Sequence, residues 1–305
     1  TTVHDPRVKD LCDISSPKKV TEAAIELVDT PGLARDQKGN AARLAAIRDC
    51  DCMIAVLAGF GGADPAKDIS SFQEDLALAD LEIISNRITR LEESIKKPRP
   101  DREDLIAEKA LLESMQKQIE DGVSLRDLEI SADDEKAFRS FQLLSLKPLL
   151  AIVNTADYEA NPDQFKSIGG DQMQVIPVPI GLEAELARMD AEEAAAFREE
   201  MGVGSFDRDP LVLAIMEASG QMLFFTAGEK EVRTWMFLQG GTAVDAADSI
   251  HSDLARGFIR AEVMTIDDLV RLGSEREVKA AGLARQEMKD YVVQDGDVLF
   301  IKSGI

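Results

Sequence analysis

The feature that most narrows the fold is a set of short apolar runs rich in β-branched residues, at 24–28, 53–58, 149–153 and 174–178. Each closes in a polar or Gly/Pro-bearing segment, and helical patterns lie between them. Near-continuous apolar runs mark strands buried on both faces, and their alternation with helices predicts a mostly parallel sheet in an α/β domain. The hydrophobic share of 45% supplies enough material for a core, which excludes disorder over the whole chain. At about 100–200 residues per domain, the 305 residues hold two or three domains.

Between the second and third runs the pattern changes, and 71–142 carries no strand signal. Leu81, Ile84, Ile88, Leu91 and Ile95 recur at spacings of three and four, a coiled-coil seam. Pro98 and Pro100 break it, and Leu105, Leu112, Met115 and Ile119 resume a second seam. An antiparallel helical hairpin inserted into the α/β domain is expected, with four basic side chains (Lys96, Lys97, Arg99, Arg102) at its tip. From about residue 220 onward the pattern turns to strands (232–238 and 258–264), a turn at Gly240-Gly241 and a helix over 243–255. A closing hairpin is expected from 291–293 and 298–301 around Asp295-Gly296-Asp297, and this set fits a β-grasp fold.

The formal charge is −22, from 35 basic against 57 acidic side chains. It argues against broad, unspecific nucleic-acid binding and leaves room only for a local basic patch. No apolar stretch approaches the roughly 20 residues of a membrane span, and the first thirty residues hold no signal-peptide run. Cys12, Cys50 and Cys52 are too few and too clustered for a disulfide framework. The reading is a cytoplasmic protein without a membrane partner. Thr1 to Pro17 read as the middle of a longer chain, so a preceding segment is expected.

The sharpest local motif is Asp29-Thr30-Pro31-Gly32 after the first run. A carboxylate at a strand end can hold Mg²⁺ through water, and a glycine N–H three residues on can approach a γ-phosphate without a Cβ in the way. The plain alternative is a Pro-Gly turn. Asn154-Thr155-Ala156-Asp157 follows the third run, where GTP-binding proteins carry Asn-Lys-x-Asp. Gly181-Leu182-Glu183 follows the fourth, where such proteins place a short loop against the base. All three lie at carboxyl ends of expected parallel strands, where α/β proteins bind ligands.

With these motifs in that order the chain resembles the YchF subfamily of Obg-like P-loop NTPases. The likeness extends to Leu76-Ala77-Leu78-Ala79-Asp80-Leu81 and Leu146-Lys147-Pro148. It is densest in the last third, in Phe224-Phe225-Thr226-Ala227-Gly228, Gly257-Phe258-Ile259-Arg260-Ala261-Glu262-Val263 and Lys289-Asp290-Tyr291. The resemblance implies a G domain over 1–70 and 143–219, a helical insertion over 71–142 and a TGS domain over 220–305. It implies Mg²⁺-dependent hydrolysis of ATP or GTP on the ribosome. Asp29, Gly32 and Leu33 then serve the catalytic end, with Mg²⁺ on Asp29 through water. Asn154, Asp157, Gly181, Leu182 and Glu183 serve the base. Leu33 stands where a Ras-type protein carries its water-positioning Gln, and an aliphatic side chain there predicts slow intrinsic turnover.

The departures from the family matter as much. No Gly-x-x-x-x-Gly-Lys-Ser/Thr occurs; the nearest string, Gly59 to Lys67, has the wrong spacing and is followed by Asp68. The expectation is that the loop precedes Thr1 and that this polypeptide alone binds triphosphate poorly. The alternative is a non-catalytic ribosome- or RNA-binding adaptor. Thr155 replaces the Lys of the guanine motif, which favours ATP, while Asp157 keeps GTP in play. The basic tip reads equally as a solvated loop or a ribosomal RNA contact. His4 reads as a turn residue, His251 as a structural or surface group, and Trp235 and Phe224-Phe225 as core. Asp49-Cys50-Asp51-Cys52 lacks the further Cys/His pair of a metal site.

Overall fold

A computed structural model of the chain describes residues 1–32, 40–125, 141–159, 161–170 and 173–304. Its strands, among the described residues, are β1 (Val20–Thr21), β2 (Met53–Gly59), β3 (Leu149–Thr155), β4 (Val175–Val178), β5 (Gln221–Thr226), β6 (Val232–Leu238), β7 (Phe258–Thr265), β8 (Arg285–Glu287) and β9 (Asp297–Ser303). They form two sheets, ordered β2-β3-β4 and β1-β6-β5-β9-β7-β8, in two compact units.

The unit Asp29–Ser205 contains the three-stranded sheet, all parallel. Three of the four apolar runs therefore appear as the expected parallel strands. β3 lies in the middle and is buried from Leu149 through Val153, which is why its sequence is an unbroken apolar run. The register runs from Met53 opposite Leu149 to Gly59 opposite Thr155, and Asn154 lies opposite Val178. The carboxyl ends of all three strands thus meet at one edge. Gly59 is required there: a Cβ would sit 2.5 Å from Val153 Cγ1.

Helix Pro65–Ile95 starts earlier than the expected 71, because Asp64 caps it, accepting from Lys67 N–H at 3.1 Å, with Pro65 in its first turn. Ile84, Ile88 and Leu91 pack with Leu112 and Met115 of helix Arg102–Glu120 in one buried cluster. Each such side chain contributes about 1.5–3 kcal/mol by burial, so Leu112→Ala is the change that would break this face. Arg87 binds Glu108 through two bonds of 2.7 and 3.0 Å across the pair. At the root of the insertion Asp80 is fully buried and accepts from Leu144 N–H, Ser145 N–H and Ser145 Oγ at 2.9, 2.7 and 2.6 Å.

The second unit joins Thr1–Val28 to Phe206–Ile305. These units divide the chain differently from the lobes expected from the sequence. The reason is physical: β1 pairs with β6, and Val8 and Leu11 of helix Arg7–Ser15 enter the core with Met216, Leu223 and Phe225. Side chains alternate across β5, so Leu223 and Phe225 serve one core while Met222 and Phe224 serve the other. Arg7 binds Asp5 and Asp295, and Asp295 also accepts from Leu223 N–H at 3.0 Å.

Three local expectations fail. Residues 24–28 form no strand: Ala24 makes an isolated bridge to Thr2, and Leu27 and Val28 are exposed. The run has strand composition, but a strand also needs a ladder partner. Among the described residues the backbone of Ala23 and Ile25 bonds with Val3 and Thr1, and Ala23 N–H donates to the Thr234 side chain instead of a strand. The helix expected over 243–255 is two, Ala243–Ile250 and Ser252–Arg256, because His251 is extended and its Nδ1 caps the second by accepting from Asp253 N–H. The hairpin of 291–293 with 298–301 does not form. Val293 N–H binds Gly241 O and Ala243 N–H binds Tyr291 O, while β9 pairs with β7 and β5.

Candidate functional site

The carboxyl edge of the parallel sheet gathers one cluster of the expected site residues. Asn154, next to last in β3, accepts from Ile180 N–H at 3.0 Å through Oδ1, tying the segment after β4 to the end of β3. Gly181 follows, and a Cβ on it would lie 3.1 Å from Asp157 Oδ1. The missing side chain lets the Asp157 carboxylate rest close to the backbone there. Asp157 is exposed. The arrangement therefore offers a solvent-facing acceptor beside a backbone held in place by an amide.

Gly181-Leu182-Glu183 is not the loop the sequence predicts. These residues lie in helix Ile180–Leu186. Leu182 is buried, so its side chain serves packing, and Glu183 pairs with Arg198 at 2.7 Å. Sequence reasoning missed Arg198 because helix Ala191–Met201 reads as acidic and alanine-rich. The available signal was that Arg198 is the one basic residue in that helix.

Asp29-Thr30-Pro31-Gly32 is irregular backbone rather than a strand end. Asp29 and Gly32 are exposed, and Gly32 O accepts from Arg43 Nη1 at 2.8 Å. A Cβ at Gly32 would meet none of the described residues within 4 Å. Leu33 lies outside the described residues. No group of three or more His, Cys, Asp or Glu side chains disposed to hold a metal occurs among the described residues. A lone exposed Asp29 carboxylate fits a divalent cation bound through water, with further oxygens coming from a phosphate. No hydrogen bond among the described residues joins Asp29 or Gly32 to the Asn154 cluster.

At the insertion tip Lys96 and Lys97 are exposed. Arg99 instead grips Asp101 with two bonds of 2.9 Å, which holds that carboxyl below its ordinary range. Arg102 Nε donates to Ile95 O at 3.1 Å. Two of the four cations thus shape the tip itself, and Lys96 and Lys97 face solvent.

The buried joint at Asp80 was not read as functional or structural from sequence. Burial pushes its carboxyl upward, opposed by bonds from Ser145 and Leu144 and by the charge of Arg48. Beside it Lys147 Nζ donates to Arg48 O at 2.9 Å and to Cys50 O. The stretch leading into β2 is thereby tied to the one leading into β3. No described helix is long and apolar enough to cross a membrane.

Residues 222–303 match the family model YchF-GTPase_C, described as a protein of unknown function (DUF933). The "Ribosome-binding ATPase YchF" of Bacillus subtilis (strain 168) is 33% identical over 324 residues, covering 99% of this chain and 88% of the relative. That of Escherichia coli O157:H7 is 35% identical, over 97% and 85%. "Obg-like ATPase 1" of Oryza sativa subsp. japonica is 37% identical, over 99% and 82%. The solved structure of the Schizosaccharomyces pombe YchF GTPase superposes with a TM-score of 0.86 at 24% identity, covering 99% of this chain and 86% of that one, and shows the same fold. A mixed α/β architecture with a parallel sheet, and relatives aligned over almost its full length, place this chain in the YchF family of Obg-like proteins.

Proposed function

We propose that this chain belongs to a cytoplasmic nucleotide hydrolase that works in association with the ribosome, with ATP as substrate ahead of GTP and Mg²⁺ as the metal. The observation that carries this is the cluster at the carboxyl edge of the sheet: Asn154 holds Ile180, and Asp157 lies exposed beside Gly181. The names of the relatives, ribosome-binding ATPase and Obg-like ATPase, support the reading. Asn154 then fixes the backbone that a base packs against, and Asp157 accepts N–H donors from the base edge. Gly181, Leu182 and Glu183 contribute through the helix backbone they form. Asp29 and Gly32 serve the γ-phosphate end, where Mg²⁺ bound through water to Asp29 neutralises phosphate charge. Leu33 follows them in sequence and offers no hydrogen bond to water, so intrinsic hydrolysis is slow. The helical insertion acts as a coiled-coil arm whose tip, through Lys96, Lys97, Arg99 and Arg102, meets ribosomal RNA. The last 85 or so residues act as a TGS domain.

The rival reading is an adaptor that binds ribosome or RNA without hydrolysis, favoured by the absence of a Gly-x-x-x-x-Gly-Lys-Ser/Thr string in these 305 residues. Calorimetric titration of ATP and GTP, with Mg²⁺, into the full-length protein separates the two. Tighter binding of ATP, weakened about tenfold or more by Asp157→Ala, supports the hydrolase. Tighter binding of GTP, lost in Asp157→Ala, reverses the base preference, and no binding of either nucleotide leaves the adaptor.

A further inference from the structure

Helix Ile180–Leu186 is anchored at three points, and one of them comes from outside the nucleotide motifs. Its first N–H is captured by Asn154, and Leu182 and Leu186 are buried. The third anchor is Glu183, which receives Arg198 Nη2 at Oε2 (2.7 Å) and Nη1 at Oε1 (3.1 Å). Arg198 Nη1 also donates to Gly204 O at 2.6 Å. Both side chains of the pair are only about a fifth exposed, at 20% and 21%. A two-pronged pair so shielded is less screened than a surface contact and fixes direction as well as distance.

Two consequences follow for the helix. The fork sets its rotation, and rotation decides how Gly181 presents its bare backbone to Asp157. It also neutralises a carboxylate two residues from Gly181, where an unpaired charge would oppose a ligand carrying phosphates. Taking the base-site reading of the previous subsection as given, we propose that Arg198 is a positioning residue for the base end of the nucleotide site. It acts through Glu183 and touches no ligand.

The test compares wild type, Arg198→Ala, Arg198→Lys and the exchange Glu183→Arg with Arg198→Glu in the full-length protein. ATP and inorganic tripolyphosphate, each with Mg²⁺, are titrated by calorimetry, and hydrolysis is followed at varied ATP. Tripolyphosphate has no base and reads the phosphate end alone. Arg198→Ala should weaken ATP about tenfold, the scale of a charged, two-pronged contact, and leave tripolyphosphate unchanged. Its KM for ATP should rise by a similar factor while kcat falls less than about twofold, the signature of lost uniform binding. Arg198→Lys should fall between, and the exchange should recover part of the ATP affinity. Arg198→Ala with a lower unfolding midpoint but the wild-type ratio of ATP to tripolyphosphate affinity overturns the proposal. Wild type that binds neither probe, or both equally, overturns the base-site reading and this role with it.

Discussion

In the unit built from Thr1–Val28 and Phe206–Ile305, polar side chains close on one another around the sheet. Arg7 spans Asp5 and Asp295, and Tyr291 Oη donates to the buried Asp297 at 2.7 Å. Thr242 with Asp245 and Thr265 with Asp268 close the starts of two helices. In the unit Asp29–Ser205 the polar residues divide into two sets. Asp80, Ser145 and Lys147 are consumed at the amino ends of β2 and β3, while Asp157 stands exposed at the carboxyl ends. The comparison teaches that in this molecule satisfied polar networks hold the architecture, whereas the acceptor just past the end of β3 is left unsheathed, as the proposed base site requires.

Because Trp235 is the single tryptophan and lies in β6, its fluorescence reports the second unit, while circular dichroism reports both. The largest expected effect is from Asp80→Ala. It removes the acceptor of the buried Leu144 N–H and of two half-buried Ser145 donors and should cost about 3 kcal/mol. In urea, helical signal should then be lost while the Trp235 transition stays in place. A shift of both together would dissolve the comparison. Arg7→Ala should do the reverse, moving the Trp235 transition by about 2 kcal/mol, since it leaves the buried Asp5 carboxylate uncompensated.

Smaller effects sharpen the contrast. Burial and the neighbouring Asp297 push the Tyr291 hydroxyl up to about 12, from an ordinary value of 10.0. A raised folded value means stability that is whole below pH 10 and is lost as pH rises through about 12. Tyr291→Phe should cost about 1 kcal/mol at neutral pH and erase the part of the alkaline loss that Tyr291 carries, followed at Trp235. The smallest effect on folding belongs to Lys96→Glu with Lys97→Glu, which should leave both transitions where they are. If the tip meets RNA, ribosome cosedimentation should weaken and its dependence on salt should flatten. Unchanged cosedimentation reduces the tip to solvated surface.

What could be read from the sequence follows the same division. β3 shows as an apolar run because burial on both faces leaves no choice of residue. β2 and β4 show by the same composition although only Met53, Leu57, Val175 and Val178 of them are buried, and the seam of Ile84, Ile88 and Leu91 repeats at helical spacing. Asn154, Asp157 and Gly181 were legible because a motif fixes them to strand ends. The segment 24–28 misled because composition records a residue's fitness for a strand and not the presence of a neighbour. Residues 291–293 misled in the same way, pairing with Gly241 and Ala243 instead of closing on β9. Asp80 and Arg198 were silent: their partners lie 64 and 15 positions away, and nothing local distinguishes a charge that will be buried from one that will be solvated.

The Asp80 joint also bears on how quickly the parallel sheet can assemble. β2 and β3 are neighbours in space, yet the whole insertion separates them in sequence, and parallel pairs of that kind wait on the closure of a long loop. The two helices form from contacts close in sequence and pack on each other, delivering Leu144 to Asp80 across 64 positions. With the two helices docked, the stretch still to be closed runs from Glu120 to Leu144, so the effective loop falls by between one and two halvings, worth about 1 kcal/mol of chain entropy at about 0.6 kcal/mol each. The arm is in this sense a clasp that shortens the path to the fold it interrupts.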